Sequence, residues 1–154
     1  MIIESEKKAG FTLVELLLSI SVIVILSALS MPFISAFQSR NNLDVALNTI
    51  AQAERRAQTS AMAVERDADC TGWGLSVQSS GIVLYCGTSF SGRNSSFDEN
   101  YDIASNINIS STGGAGDISY SKVSGLPNNT GTITLTQGSD SRSISINAKG
   151  VITY

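Results

Sequence analysis

The feature that most constrains this chain is an uncharged, apolar segment that runs from Leu16 to Ser39. Leu, Ile and Val dominate it as far as Leu29. About 20 apolar residues, at about 1.5 Å each, cross the hydrocarbon core of a bilayer as a helix. The segment is therefore long enough to be a transmembrane helix.

Two flanking features distinguish this segment from a plain membrane anchor. The basic segment Lys7-Lys8-Ala9-Gly10 lies upstream of it, and one carboxylate, Glu15, directly precedes its first residue, Leu16. A carboxylate deep in a bilayer costs about 2.5–3.5 kcal/mol on insertion scales, so we expect Glu15 to have a partner. A secretory signal peptide would instead have a shorter apolar core that ends in a small-residue cleavage site. A plain anchor would leave Glu15 unexplained.

Residues 7–32 resemble the amino terminus of the type IV prepilin family, which includes the pseudopilins of type II secretion. The family signature is a basic leader ending in Gly, then Phe-Thr-Leu-(Val/Ile)-Glu and an apolar helix, and here it reads KKAG-FTLVELLLSISVIVILSALSMP. The resemblance implies cleavage between Gly10 and Phe11 by a prepilin peptidase, which also methylates the new amino terminus at Phe11. It further implies that Glu15 neutralises the terminal amine of a neighbouring subunit. Pro32 removes a backbone donor and is expected to kink the helix.

Downstream of Pro32 the pattern becomes amphipathic. Residues that are apolar or small, except for Glu54, recur at spacings of four and three, which predicts one buried helical face: Leu43, Leu47, Ile50, Glu54, Ala57, Ala61 and Val64. We therefore predict a single helix from Phe11 to about Glu65. The predicted parts are a cleaved leader (1–10), a transmembrane and filament-core helix (11–37), an amphipathic helix half (38–66) and a β-rich globular domain (67–154).

After residue 71 the period shifts towards two, which is typical of strands. We predict two hairpins and a short closing strand, separated by turns rich in Gly, Ser and Asn. The predicted strands are Trp73–Val77, Ile82–Cys86, Tyr101–Ile109, Asp117–Val123, Thr132–Thr136, Arg142–Asn147 and Val151–Tyr154, with a loop at 87–100. The predicted fold class is α+β and type IV pilin-like, a long helix packed on an antiparallel sheet.

The chain has two cysteines, Cys70 and Cys86, and no histidine. Because Lys7 and Lys8 precede the span, the positive-inside rule places the amino end in the cytoplasm and both cysteines on the exported side. Disulfides persist there, so we predict a Cys70–Cys86 bridge. Without histidine the spacing does not favour zinc or redox chemistry.

The residues indicate an assembly protein and not an enzyme. Without histidine there is no Ser-His or Cys-His pair, and no phosphate-binding loop is present. The acidic segment Asp98–Asp102 has the first ligand spacings of a calcium loop, but Ile103 and Ile109 occupy its Gly and Glu positions. We therefore predict no metal and no cofactor. The net charge of −3 argues against a nucleic-acid partner.

The segment Ala51–Gln58, with Trp73-Gly74-Leu75 after it, is similar to the GspH/FimT-type branch of pseudopilins and minor pilins. Members linked to DNA uptake carry arginines near the last Gly, whereas Gly150 has only Lys149 beside it. We expect a minor pilin or pseudopilin, single-pass in the inner membrane with its carboxyl-terminal domain exported. Its expected partners are other pilin subunits, the prepilin peptidase and the inner-membrane assembly platform. A DNA-binding minor pilin and a major pilin are the alternatives.

Overall fold

The computed structural model describes residues 10–66 and 69–154, except for the side chains of residues 29–33 and 35–36. The chain divides into two compact units, one up to Gln38 and one from Ser39 to Tyr154. The described residues form an α+β structure with these bounds: α1 Leu13–Met62, β1 Trp73–Gln78, β2 Gly81–Cys86, β3 Asn94–Asp102, β4 Asn108–Thr112, β5 Asp117–Tyr120, β6 Gly131–Gln137, β7 Asp140–Ile146 and β8 Ile152–Thr153.

The amphipathic half of α1 packs its predicted face into the core of the second unit. The spacing rule is confirmed at six positions, all buried: Leu43, Leu47, Ile50, Glu54, Ala57 and Ala61. Further small residues on the helix, Ala46, Ala51, Ala53 and Ser60, are buried beside them. Small side chains let the helix backbone approach the sheets closely, and alanine also has the best helix propensity.

Two antiparallel sheets share this core with the helix. One has the strand order β3-β2-β1-β5 and the other β4-β6-β7-β8. The first sheet contributes Leu75, Leu84 and Ile118, and the second contributes Ile133, Leu135 and Ile144, all fully buried. The predicted helix on antiparallel strands is confirmed, but the prediction of one sheet is wrong.

The two hairpins that alternate most regularly in sequence are confirmed. In the first, Trp73 pairs with Cys86 and Gln78 with Gly81. In the second, Gly131 pairs with Ile146 and Gln137 with Asp140. A period of two puts every second side chain on the core face, so local pattern alone defines these strands.

The middle of the sheet region differs from the prediction. The segment 87–100 was expected to be a loop, yet it contains most of β3, an edge strand that pairs with β2. The segment Tyr101–Ile109 was expected to be one strand, yet the chain leaves β3 at Asp102 and enters β4 at Asn108. Ile103 and Ile107 are buried in the connection between them. Their spacing therefore comes from two loop side chains that are buried in the core, and not from one face of a strand.

Two element ends also fall earlier than predicted. The helix ends at Met62 and not near residue 66, because Val64 and Arg66 have φ of 51° and 56°. Such left-handed backbone cannot continue a right-handed helix. Similarly, β5 ends at Tyr120, and Val123 has φ of 67°.

The Trp-Gly pair at the start of β1 has a packing explanation. The indole Nε1 of Trp73 donates a hydrogen bond of 3.1 Å to the carbonyl oxygen of Glu65, just beyond the helix end. Gly74 lies opposite Tyr85, and the phenol ring covers the glycine. A Cβ at Gly74 would collide with that ring and would lie 2.7 Å from the carbonyl oxygen of Ile118.

We predict that Gly74→Ala lowers the free energy of unfolding by about 2 kcal/mol or more, since overpacking costs about 1–3 kcal/mol and a backbone carbonyl cannot move aside freely. Denaturant titration of the full chain in detergent, followed by the fluorescence of Trp73, measures the loss. Gly92→Ala is the matched control, because its Cβ would meet only the hydroxyl of Ser89 at 3.3 Å. A Gly74→Ala variant as stable as the control would contradict this packing explanation.

Candidate assembly site at the amino end of the helix

The predicted cleavage point lies in irregular backbone just before α1. Gly10 and Phe11 are both exposed, and 83% of Phe11 is accessible. An accessible, non-helical peptide bond is what a protease needs to bind a substrate. Lys7 and Lys8, and the rest of the predicted leader up to residue 9, lie outside the described residues. Cleavage and methylation stay predictions.

Thr12 and Glu15 form a capping box at the first turn of α1. The amide nitrogen and the hydroxyl of Thr12 each donate to Oε2 of Glu15 at 2.9 Å. In return, the amide nitrogen of Glu15 donates to the hydroxyl of Thr12 at 3.3 Å. This reciprocal arrangement satisfies two of the amide groups that a helix start leaves without partners.

The capping box fixes where the charge of Glu15 lies. Because the carboxylate accepts from the amide of Thr12, it is held on the amino-terminal side of its own helix turn. It also lies near the positive end of the helix dipole, which stabilises an anion. Both bonds fall on Oε2, and Oε1 has no hydrogen-bond donor among the described residues. The carboxylate is thus available to a cation supplied from outside the chain.

The turns that follow expose apolar side chains all round the helix. Between 47% and 75% of each large apolar residue from Leu13 to Leu26 is accessible. A helix that is apolar on every side is normally buried in a large core or in lipid. The isolated chain therefore exposes an apolar surface that we expect to be covered by lipid or by other protein.

Three serines of this helix are satisfied within it. The hydroxyls of Ser19, Ser21 and Ser27 each donate to the carbonyl oxygen four residues earlier, at 2.7, 2.7 and 2.8 Å. Such back-bonding gives each of these three hydroxyls a partner other than water. The serines are therefore compatible with an apolar environment.

Among the described residues, no helix is both long and apolar enough to qualify as a membrane span. The predicted span at 11–37 includes side chains outside the described set, and it is not confirmed. The helix assignment runs through Pro32 without a break. The predicted kink there falls on residues whose side chains are likewise outside that set, and it stays a prediction.

Cys70 and Cys86 form a disulfide with a Cα–Cα distance of 5.2 Å. Both residues are buried, with about 1% of each accessible. The bond joins the segment that follows α1 to the last residue of β2. Together with the hydrogen bond from Trp73 to Glu65, the disulfide fixes the segment that connects α1 to β1.

Several cationic side chains are engaged with acidic ones. Among the described residues, four arginines form ion pairs with carboxylates: Arg40 with Asp140, Arg56 with Glu65 and Glu99, Arg93 with Asp98, and Arg142 with Asp44. Arg66 lies over the ring of Phe97, at 4.7 Å from its centroid. Arginines neutralised in this way contribute little to a phosphate-binding surface. Within residues 10–66 and 69–154, no cluster of His, Cys, Asp or Glu could hold a metal ion.

Sequence reasoning missed two features of these sites. The capping box was readable, since Thr12-x-x-Glu15 before an apolar run is its signature. The buried contact of Glu54 was harder to predict. Its spacing put it on the buried face, but only the structure brings it against Tyr120 on β5.

Comparison with known proteins gives one family match. A model of the prokaryotic N-terminal methylation motif matches residues 6–31, and this match supports the type IV prepilin-like family for this chain. No curated protein and no solved structure matches the chain. The match spans the predicted cleavage point, the capping box and the apolar turns that follow.

Proposed function

We propose that this chain, which carries the methylation motif of type IV prepilin-like proteins, is a structural subunit assembled through its amino-terminal helix. The observation that carries the proposal is a capped carboxylate at the start of a helix whose apolar side chains are exposed all round. Neighbouring helices of the same kind would bury those side chains. Burial of apolar area is the main driving force of association, at about 25 cal/mol per Å².

Before assembly, the same helix would be held in the inner membrane. The uncharged run from Leu16 to Ser39 is long enough to cross it, and the preceding lysines orient the amino end towards the cytoplasm. The second unit would then be exported, where its disulfide persists. The chain would meet the prepilin peptidase and the assembly platform in that membrane, and other pilin subunits in the filament.

We further propose that this chain is a minor pilin or pseudopilin, similar to the GspH/FimT-type branch. It would act without a cofactor and would not be an enzyme. The Trp-Gly start of β1 and the closing Gly150 hairpin are the residues that favour this branch. Gly150 has φ of 72°, and its Cα faces the side chain of Gln58. A major pilin remains the alternative for the same geometry, and relative abundance in sheared filaments distinguishes the two.

Processing in bacterial membranes tests the core of this proposal. In cells that contain a prepilin peptidase, we expect the chain to lose residues 1–10 and to gain one methyl group on the amine of Phe11, as measured by intact mass. The matched control is Gly10→Val, which places a branched side chain at the cleavage point and should remain uncut. A wild-type chain that stays full-length, in cells that process a reference prepilin, would overturn the proposal.

We predict that the chain does not bind duplex DNA appreciably at physiological salt. Its charge is −3, and four of its arginines are paired with carboxylates. A gel shift with the detergent-solubilised chain measures binding. Micromolar affinity that falls steeply with added salt would indicate a basic surface and favour the DNA-uptake alternative.

A further inference from the structure

The carboxyl group of Glu54 is buried in the core, and one of its two oxygens has no hydrogen-bond partner. Its side chain has no accessible surface. Oε2 accepts a hydrogen bond from the hydroxyl of Tyr120, and Oε1 is buried with no hydrogen-bond partner. A buried carboxylate that lacks a cation is strongly destabilised, whereas its neutral form is tolerated much better.

In the part of the chain that the structure describes, no ion pair involves Glu54. Two titratable groups interact with it, Tyr120 on β5 and Tyr85 on β2. Asp117, at the start of β5, accepts from the hydroxyl of Tyr85 and so adds a second negative group to this region. Tyr101 on β3 packs against the same core and also carries a titratable hydroxyl, which donates to Glu99. Further core side chains from the strands do not titrate: Trp73 and Leu75 on β1, Ile133 and Leu135 on β6, and Ile144 and Ile146 on β7. Within residues 10–66 and 69–154, burial and the hydroxyl of Tyr120 act on the carboxyl group, and no lysine or arginine favours its charged form.

We propose that Glu54 and Tyr120 form a proton-dependent clamp between α1 and the first sheet, so that the exported unit takes up a proton as it folds. When the carboxyl group is protonated, it can sit in the core as a neutral partner of the tyrosine hydroxyl. When it ionises, a charge is left between helix and sheet with a single hydrogen-bond donor. The clamp therefore tightens as the surroundings become more acidic.

The direction of the pH dependence follows from the protonation states. Burial raises the pKa of Glu54 above its ordinary 4.5, and the hydrogen bond from Tyr120 lowers it partly back, which leaves the pKa at about 7. Burial and the nearby Glu54 raise the pKa of Tyr120 far above its usual range, so the tyrosine remains a donor throughout. Between these two values for Glu54 the folded chain holds a proton that the unfolded chain has released. Its contribution to stability is thus complete below pH 4.5 and is lost as the pH rises through about 7.

Carboxyl-carbon NMR of the full chain in detergent, with labelled glutamate, tests the clamp directly. We expect one glutamate resonance to titrate with a midpoint near pH 7, and to be missing in Glu54→Gln. In Tyr120→Phe the charged form loses its donor, so the midpoint should move higher. A Glu54 midpoint near the ordinary 4.5 would overturn the proposal.

Thermal unfolding gives an independent readout. Between about pH 8 and about pH 5 we expect the wild-type Tm to rise by about 4 °C or more from this group alone. Glu54→Gln is neutral at every pH and should lose this rise. The matched control is Glu65→Gln, which removes a partly exposed carboxylate paired with Arg56 and should keep the rise. A Glu54→Gln variant with the wild-type pH profile would contradict the clamp. Should Glu54→Gln fail to fold, the wild-type NMR midpoint and its displacement in Tyr120→Phe decide the question.

Discussion

Replacing Glu15 with Val is expected to abolish incorporation of the chain into filaments, while membrane insertion and cleavage after Gly10 continue. The substitution makes the span more apolar, so insertion should become easier by about 2.5–3.5 kcal/mol. In an assembled filament, the amine of a neighbouring Phe11 would be left buried and unpaired. Breaking one partner of a buried pair costs about 3–5 kcal/mol, and the loss recurs at each subunit contact.

The capping box makes a second variant necessary. Glu15→Val removes both the charge and the bond to the amide of Thr12, and loss of a cap alone costs about 0.5–2 kcal/mol. Glu15→Gln is the matched control, because glutamine at this position can still complete a capping box but carries no charge. If charge pairing drives assembly, the Gln variant fails like the Val variant.

Quantifying the processed chain in the sheared filament fraction and in the inner membrane distinguishes these outcomes. We expect both variants to accumulate, cleaved, in the membrane. Normal amounts of Glu15→Gln in filaments, with Glu15→Val absent, would assign Glu15 to helix capping alone. Normal amounts of both variants in filaments would show that assembly does not need Glu15.

Replacing both cysteines with alanine is expected to lower the free energy of unfolding by about 3 kcal/mol. The two residues are 16 apart in sequence, and closing a loop of this size restricts the unfolded chain by about that amount in the chain-entropy model. The bridge lies buried at the passage from helix to sheet, so its loss should also weaken the contact between Trp73 and the end of α1.

Denaturant titration followed by Trp73 fluorescence measures this effect in the Cys70→Ala/Cys86→Ala chain. The wild-type chain under reducing conditions provides the comparison and should resemble the double variant. Alkylation of the non-reduced chain before mass spectrometry should label no thiol. Two labelled thiols, or a loss below about 1 kcal/mol, would contradict a stabilising bridge in the second unit.

The sequence by itself determined those parts of the protein whose structure depends on a local pattern of residue types. An apolar run without charges, a basic segment before it and Glu15 are readable without a structure, and the matched methylation motif covers residues 6–31 of this stretch. The buried face of α1 follows from its helical period, and the hairpins β1–β2 and β6–β7 follow from strict alternation around turns. In each case neighbours in sequence are neighbours in space.

Only the tertiary structure decided the rest. The polar strand β3 exists because β2 offers it backbone partners across the sheet, and the strands divide between two sheets because both must cover one helix. Gly74 is required by Tyr85 on the next strand, and Glu54 meets Tyr120 from 66 residues away. These features depend on pairing and burial between distant segments. A local period cannot encode them, because the free energy of a buried charge or a paired strand is set by what the rest of the chain brings against it.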